Sequence, residues 1–142
     1  MVRWFTALSL LALAACAQPA PAPSAEACAA PAEDHAVAEM YFGRNIGETL
    51  GVTDEEWRAF VDGEISPRFP NGLTIDDVDG QWRDTETGAI VREPSKRLTL
   101  VLTDAARDQA ALEAIAAAYR TQHEQQSVML VVEHSCVAFL SE

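Results

Sequence analysis

The chain has 142 residues and a formal net charge of −12, with 22 acidic residues against 10 basic ones. This length allows one compact domain and excludes a multidomain enzyme, and a hydrophobic content of 49% excludes a wholly disordered chain. Because so acidic a surface repels the phosphate backbone, we expect no nucleic-acid partner.

The first fifteen residues have the pattern of a secretory signal. Arg3 gives a basic start, and residues 4–15 form an uncharged apolar run, too short for a bilayer span of about 20 residues. The run ends in Leu13-Ala14-Ala15-Cys16, which resembles the bacterial lipoprotein box. We therefore predict a signal peptide over 1–15 and lipidation of Cys16, with an ordinary cleaved signal as the alternative.

This interpretation gives the protein a location. By resemblance to known bacterial lipoproteins, Ala17 in place of aspartate after the lipidated cysteine indicates sorting to the outer membrane. We predict an exported protein of the cell envelope, anchored through lipid and facing the periplasm.

Residues 16–38 are rich in alanine and proline and show neither helical nor strand periodicity, so we predict a tether there and a single domain over 39–142. Cys28 and Cys136 remain once Cys16 is lipidated, and disulfides persist outside the cytosol. We expect these two cysteines to pair; two free buried thiols are the alternative.

The domain begins with a short apolar strand over 39–43. Thr53 and Glu56 have the spacing of a capping box, which predicts the start of a helix. The helix has one apolar face and is stopped by Pro67. That face consists of Trp57, Phe60, Val61 and Ile65.

A hairpin follows the turn at 69–72. Residues 73–84 read as a strand whose apolar phase slips, so we predict a bulge near Asp76-Asp77. The turn at 85–88 leads to a return strand ending at 96–103. Pro94 within it predicts an edge position or a second bulge, because proline cannot donate to a ladder.

Asp104 caps a predicted second helix that runs to about residue 124, and the last segment, 127–140, is a strand with apolar residues on both faces. The order β-α-β-β-α-β predicts a ferredoxin-like split βαβ fold. Its antiparallel sheet has the order 4-1-3-2, with both helices on one face. Met129, Val131 and Phe139 on the other face then need a cover: a second copy in a homodimer, the tether, or a ligand.

Five stretches between residues 39 and 140 look like the domain-of-unknown-function 3574 family. They are Tyr41-Phe42-Gly43-Arg44, Phe69-Pro70-Asn71-Gly72-Leu73-Thr74, Gly80-Gln81-Trp82, Glu93-Pro94-Ser95-Lys96, and Tyr119 with Gln125-Gln126-Ser127-Val128. The resemblance implies a short exported bacterial protein with a small α+β domain. It implies no reaction, cofactor or catalytic residue.

The metal and cofactor motifs that we sought are missing from the sequence. A calcium-loop register starting at Ile75 has no side-chain oxygen at its first position. His35, His123 and His134 lack the spacing of paired metal ligands. There is no nucleophile elbow, phosphate loop or dinucleotide fingerprint. We therefore predict no cofactor and no metal site.

One set of residues is a candidate for a ligand pocket, because the predicted topology brings the ends of neighbouring strands together. The set consists of Arg44, Trp82, Glu93, Lys96 and Tyr119, with Lys96 the only lysine of the chain. An ion pair of Glu93 with Arg44 or Lys96 is the structural alternative.

For function, we predict a membrane-anchored binding or interaction module without a reaction of its own. The alternative is a small enzyme of the dimeric ferredoxin-like type that uses Arg44, Glu93 and Lys96 around a pocket for an anionic or polar ligand.

Overall fold

The computed structural model describes residues 27–141. Four long antiparallel strands form one sheet in the order β6-β1-β5-β4. These are β1 (Glu33–Gly43), β4 (Thr74–Arg83), β5 (Ile90–Leu102) and β6 (Met129–Val137). The helices are α1 (Asp54–Phe60), which continues as a π-helical turn over Val61–Ile65, and α2 (Ala105–Gln122). Between β1 and α1, the short strands β2 (Asn45–Ile46) and β3 (Thr49–Leu50) pair only with each other.

The mixed α+β class, the four-stranded antiparallel sheet and the two helices are therefore as predicted. The exact strand order needs correction, because β2 and β3 were not predicted and the sheet order becomes 6-1-5-4. The four long strands nevertheless keep the neighbours expected of them. Two-residue strands are too short to produce a periodic signal, and their turn depends on Gly47 at a φ of +64°.

The first strand is longer than predicted. It begins at Glu33, inside the segment predicted as a tether over 16–38. Residues 33–36 read Glu-Asp-His-Ala, which gives no apolar alternation, and only pairing with β5 and β6 makes them extended. The predicted signal peptide over 1–15, Cys16 and the tether up to residue 26 lie outside the described residues.

The bulge predicted near Asp76-Asp77 is absent. Of the two alternatives for Pro94, the second bulge is absent as well, whereas the position at the edge of the pairing with β1 is found. β4 and β5 pair without interruption from Thr74 opposite Thr99 to Arg83 opposite Ile90. The apolar phase of β4 slips because its two faces meet different surroundings: Ile75 packs on the core, whereas Val78 and Trp82 line a cavity on the other face.

Pro94 has a regular place in β5. It lies opposite Asp79, and its carbonyl oxygen accepts a hydrogen bond from Arg44 N at 3.1 Å, just beyond the last β1 pair, Gly43 with Ser95. Because the N and O of one strand residue point to the same side, the proline nitrogen faces the side where the β1 ladder has ended. The ladder with β4 therefore loses no donor.

Both predicted helix starts are confirmed. Thr53 N donates to Glu56 Oε2 at 2.8 Å, and Glu56 N donates to Thr53 Oγ1 at 3.2 Å, which completes a capping box. Asp104 caps α2 by accepting from Arg107 N at 3.0 Å. Burial alone would raise the pKa of Asp108, but hydrogen bonds from Asp104 N, Arg107 and Thr103 N hold it below its ordinary value.

The core lies between the helices and one face of the sheet. Alternate residues of β1 and β5 supply its sheet side: Ala38, Met40 and Phe42, and Leu98, Leu100 and Leu102. The apolar faces of both helices close it. Phe42 contacts the rings of Trp57 and Tyr119 at centroid distances of 5.1 and 4.8 Å. Both helices therefore cover one face of the sheet and leave the other open.

The predicted disulfide between Cys28 and Cys136 is present, with Cα atoms 5.5 Å apart and a sequence separation of 108. It ties the segment before β1 to the end of β6. For a loop of this length the chain-entropy model assigns roughly 4–5 kcal/mol of stabilisation. No helix in the described part of the chain is both long enough and apolar enough to span a bilayer.

Candidate functional site

The five residues predicted to form one pocket lie on two faces of the sheet. Lys96 is paired with the core residue Phe42, so its side chain lies on the helix-covered face with Arg44. Glu93 and Trp82 lie on the open face. The residues predicted to converge are therefore separated, because side chains alternate between faces along a strand.

Tyr119 also lies on the helix-covered face. It is fully buried in the core, and its hydroxyl donates to the Gly43 carbonyl oxygen at 2.8 Å. Burial, the largest cause, raises the pKa of Tyr119 far above its usual value. The side chain therefore bonds the end of β1 from the helix-covered face and does not line a pocket with Glu93.

Arg44 and Lys96 form what we call the closed polar cluster with Asp54 and Asp77. Both cationic side chains are more than nine-tenths buried. Arg44 Nη2 and Lys96 Nζ each lie 3.1 Å from Asp54 Oδ1. Lys96 Nζ also contacts Asp77 Oδ1, and Arg44 Nε donates to Val52 O at 2.8 Å.

The closed polar cluster joins the start of α1 to the sheet. The hydrogen bond from Lys96, and then the charge of Arg44, lower the pKa of Asp54. Each buried cation has an anionic partner within the chain, so the cluster is complete without a ligand.

On the open face, Glu93 is held in place by two donors. Trp82 Nε1 donates to Oε1 at 2.8 Å, and Asn45 N donates to Oε2 at 3.1 Å. The donors come from β4 and from the residue that opens β2. The carboxylate is therefore fixed in orientation at the wall of a cavity.

We call this cavity the sheet cavity; its volume is about 360 Å³. Its lining comes from β1, β4, β5, β6 and the loop between α2 and β6. The lining residues are Tyr41, Gly43, Val78, Asp79, Gly80, Gln81, Trp82, Glu93, Ser95, Gln125, Gln126, Ser127 and Met129.

Two glycines make room for the polar groups of the sheet cavity. A Cβ on Gly43 would lie 2.6 Å from the Glu93 carboxylate oxygens, and a Cβ on Gly80 would lie 2.7 Å from Ser95 Oγ. Either methyl group would displace a polar side chain of the cavity. The glycines are thus required by close approach within the sheet.

Ser95 is 6% exposed and borders the sheet cavity. Its hydroxyl takes part in none of the side-chain hydrogen bonds formed within residues 27–141. Because this residue borders the cavity, its hydroxyl is free to bond a ligand or water there.

The loop between α2 and β6 closes one side of the sheet cavity. Gln125 Nε2 donates to Asn45 O at 2.7 Å and to His123 O at 3.1 Å. The same asparagine therefore donates to Glu93 through its N–H and positions the loop through its carbonyl.

The three histidines do not share a site: His35 and His134 are on neighbouring strands, but their side chains lie on opposite faces of the sheet. His134 Nδ1 is 3.1 Å from Asp34 Oδ2 at the surface, and His123 packs on Tyr119 with ring centroids 4.7 Å apart. Burial lowers the pKa of His123, and Glu56 partly opposes this shift. Within residues 27–141, no group of three histidine, cysteine or carboxylate side chains is placed to hold a metal ion.

The sequence interpretation missed Ser95, Tyr41, Asn45 and the loop at 125–127. One signal was available: Gly43 and Gly80 lie within strands, where a glycine often marks close approach of a ligand or a neighbouring chain. The side chains that pack against those glycines are set by strand register, and the sequence pattern does not give that register.

The open face also exposes apolar residues beyond the sheet cavity. Met129 is 55% exposed and Val131 is 41% exposed. Phe139 borders a separate hollow with Thr99 and Val101. A second copy, the tether or a ligand as the cover of this face stays a prediction.

A family model described as "Protein of unknown function (DUF3574)" matches residues 37–139. No curated protein matches the chain. Among solved structures, a phage SAM lyase in complex with S-methyl-5'-thioadenosine is similar at 15% identity and a TM-score of 0.59, covering 75% of this chain and 93% of the lyase.

Two further solved structures are similar. The apo state of the phage SAM lyase has 17% identity and a TM-score of 0.55, covering 76% of this chain and 94% of the lyase. CutA from Synechococcus elongatus has 16% identity and a TM-score of 0.47, and the match covers 72% of this chain and 78% of CutA. At these identities the similarity to the lyase shows the fold alone.

Proposed function

The chain belongs to the DUF3574 family of proteins of unknown function, and we propose that its domain is a binding module that holds a small organic ligand in the sheet cavity. One observation carries the proposal. A carboxylate held by two donors, Glu93, stands beside the unused hydroxyl of Ser95 at the wall of a cavity of about 360 Å³. Binding sites for small molecules have this character: a concave, partly apolar hollow with a few oriented polar groups.

Binding is favoured over catalysis by the positions of the charged residues. The predicted enzyme needed Arg44, Glu93 and Lys96 together, but the sheet separates Glu93 from the two cations. No lining residue of the sheet cavity is a histidine, cysteine or lysine. The cavity does contain the Ser95 hydroxyl and the Glu93 carboxylate, but no hydrogen bond joins them within residues 27–141, so they do not form the coupled pair of nucleophile and base that covalent mechanisms use.

A fragment screen on the full-length protein would test the binding module, with binding monitored by nuclear magnetic resonance of the indole N–H groups. The Trp82 Nε1–H resonance reports on the sheet cavity because this group donates to Glu93. Trp57, 3% exposed in the core, is the internal control. S-methyl-5'-thioadenosine belongs in the screen because the similar phage lyase has been solved with that compound.

We expect at least one fragment to shift the Trp82 resonance in a saturable way and to leave Trp57 unchanged. A screen in which no compound shifts Trp82, or in which both indoles always move together, would contradict a binding site in the sheet cavity.

We further propose that this module is exported and anchored to a membrane by lipid on Cys16, in the cell envelope. The basic start, the apolar run and the Leu13-Ala14-Ala15-Cys16 sequence support the anchor. The disulfide between Cys28 and Cys136 supports an oxidising compartment.

Mass spectrometry of the mature protein from its native host should find an acylated N-terminal cysteine at position 16. Cys16→Ser should give material without lipid that leaves the membrane fraction. An unmodified Cys16 thiol in mature wild-type protein would contradict the anchor without bearing on the sheet cavity.

A further inference from the structure

We infer that the sheet cavity selects an organic ammonium ion, with its charged head between Glu93 and Ser95 and its apolar body beside Trp82 and Met129. This inference rests on the proposed binding function and specifies its ligand class. It narrows the predicted anionic or polar ligand to a cationic one, because Arg44 and Lys96 are not among the residues that line the cavity.

The charge of the lining is of one sign. Glu93 and Asp79 are the charged residues among those that line the sheet cavity, but Asp79 lies opposite Pro94, so its side chain is on the other face and Glu93 supplies the charge. A smaller adjoining hollow shares Glu93 and Trp82 and adds Asp84 and Glu124. Low-dielectric walls concentrate the field of such groups, so the cavity attracts cations and repels anions.

A nearby cation does not neutralise this field. Arg97 lies on the same open face, opposite Tyr41, but it is not part of the lining. Its Nη2 lies 2.9 Å from Asp76 Oδ2, and its Nη1 lies 3.7 Å from Glu39 Oε1. Tyr41 also donates to Glu39, at 2.6 Å. The guanidinium is therefore occupied by carboxylates outside the sheet cavity.

Glu93 and Ser95 have hydrogen-bonding capacity to spare. An ionised carboxylate has about four lone-pair sites, and Trp82 and Asn45 use two of those on Glu93. The Ser95 hydroxyl adds an acceptor beside it. An ammonium group carries up to three donors and no acceptor, so it matches this set of acceptors.

The remaining walls suit the body of such a ligand. Trp82 is held in orientation by its bond to Glu93, and a cation beside an indole face gains further electrostatic stabilisation. Val78, Tyr41 and Met129 provide apolar surface. The cavity therefore combines a carboxylate, aromatic rings and a thioether, which together favour an amine that carries a hydrophobic group.

Three probes of similar shape but different head-group charge would test whether the sheet cavity selects an ammonium ion. 2-Phenylethylamine, 2-phenylethanol and phenylacetate share a phenyl ring and differ in carrying a cationic, neutral or anionic head. Titrations on the full-length protein at low ionic strength follow the Trp82 Nε1–H resonance, with Trp57 as control. We expect the amine to bind about tenfold tighter than the alcohol, because the contact with Glu93 is charge-assisted, and phenylacetate to bind weakest.

Two variants locate the selection in the sheet cavity. Glu93→Gln removes the charge and keeps one of the two oxygen acceptors, so it should lower the ratio of amine affinity to alcohol affinity about tenfold. Glu113→Gln makes the same change in net charge at an exposed position of α2 and should leave both affinities, and therefore their ratio, unchanged. Amide spectra of both variants confirm that they are folded.

The outcomes separate this inference from the proposed function. Equal affinity for amine and alcohol, tighter binding of phenylacetate, or an equal loss in Glu113→Gln overturns the ammonium selection. Binding of the alcohol in the cavity would meanwhile support the binding module. If none of the three probes binds, the inference is overturned, and the proposed function is decided by the broader screen.

Discussion

Two polar sites lie on opposite faces of the same strand, three positions apart in β5. On the helix-covered face, Lys96 is enclosed with Arg44 and meets the carboxylates of Asp54 and Asp77. On the open face, Glu93 borders a cavity, and Ser95 beside it has an unused hydroxyl. The first site completes its own ionic contacts, whereas the second leaves acceptors free.

The difference shows how a small domain divides its polar residues between stability and recognition. Buried cations are tolerated when anions and hydrogen-bond acceptors of the chain surround them, so the closed polar cluster serves to fasten α1 to the sheet. Oriented groups with free capacity serve a ligand instead. Substitutions on the two faces should therefore affect different measurements.

The largest effect should come from the closed polar cluster. Arg44→Ala removes a buried guanidinium, leaves Val52 O without its donor and deprives Asp54 of one partner. We expect a loss of about 2–4 kcal/mol in the free energy of unfolding, measured by urea denaturation.

Arg120→Ala, at an exposed position in the last turn of α2, is the matched control and should cost no more than about 1 kcal/mol. Equal losses in the two variants would mean that the cluster contributes nothing beyond an ordinary surface charge.

We expect a smaller loss of stability from a substitution at Gly80, which lines the sheet cavity. Gly80→Ala places a methyl group 2.7 Å from Ser95 Oγ, so it should cost about 1–3 kcal/mol of stability and abolish ligand shifts of the Trp82 resonance. Gly63→Ala is the control: its Cβ would meet nothing within 4 Å, and the segment is helical. That variant should be neutral or up to about 1 kcal/mol more stable. Unchanged binding in Gly80→Ala would show that ligands occupy another place.

The smallest expected effect is on the free energy of unfolding at acidic pH. The pKa of Asp54 is lowered by the hydrogen bond from Lys96 and then by the charge of Arg44. Ionised Asp54 therefore stabilises the fold above its unfolded pKa, at about 4, and this contribution is lost as the pH falls through the lower folded value. Asp54→Asn should lose less stability than wild type between about pH 5 and pH 3 in urea titrations. The exposed control Asp62→Asn should follow wild type; an identical slope in Asp54→Asn would refute this coupling.

Several elements could be predicted because the interactions that create them are local. The Thr53–Glu56 capping box and the Asp104 cap involve residues three positions apart, and each starts a helix where expected. The apolar face of Trp57, Phe60 and Ile65 is buried as predicted. The pairing of Cys28 with Cys136 was also foreseen, because few cysteines remained and the topology brought them together.

The candidate site was predicted less well, since its members meet through strand register. Glu93 and Lys96 are close in sequence, yet each reaches a different face of the sheet. The apolar phase slip in β4 was interpreted as a bulge, although Val78 and Trp82 simply face the cavity. A single strand's pattern cannot distinguish these cases, because both produce apolar residues on both faces.

By itself, the amino-acid sequence determined the class of fold, the starts of both helices, the acidic character of the protein and the pair of cysteines available for a bridge. Those properties depend on composition and on contacts within one or two helical turns. The tertiary structure alone decided that Arg44 and Lys96 neutralise Asp54 while Glu93 and Ser95 border a cavity. That division follows from the alternation of side chains along paired strands and from which face the two helices cover.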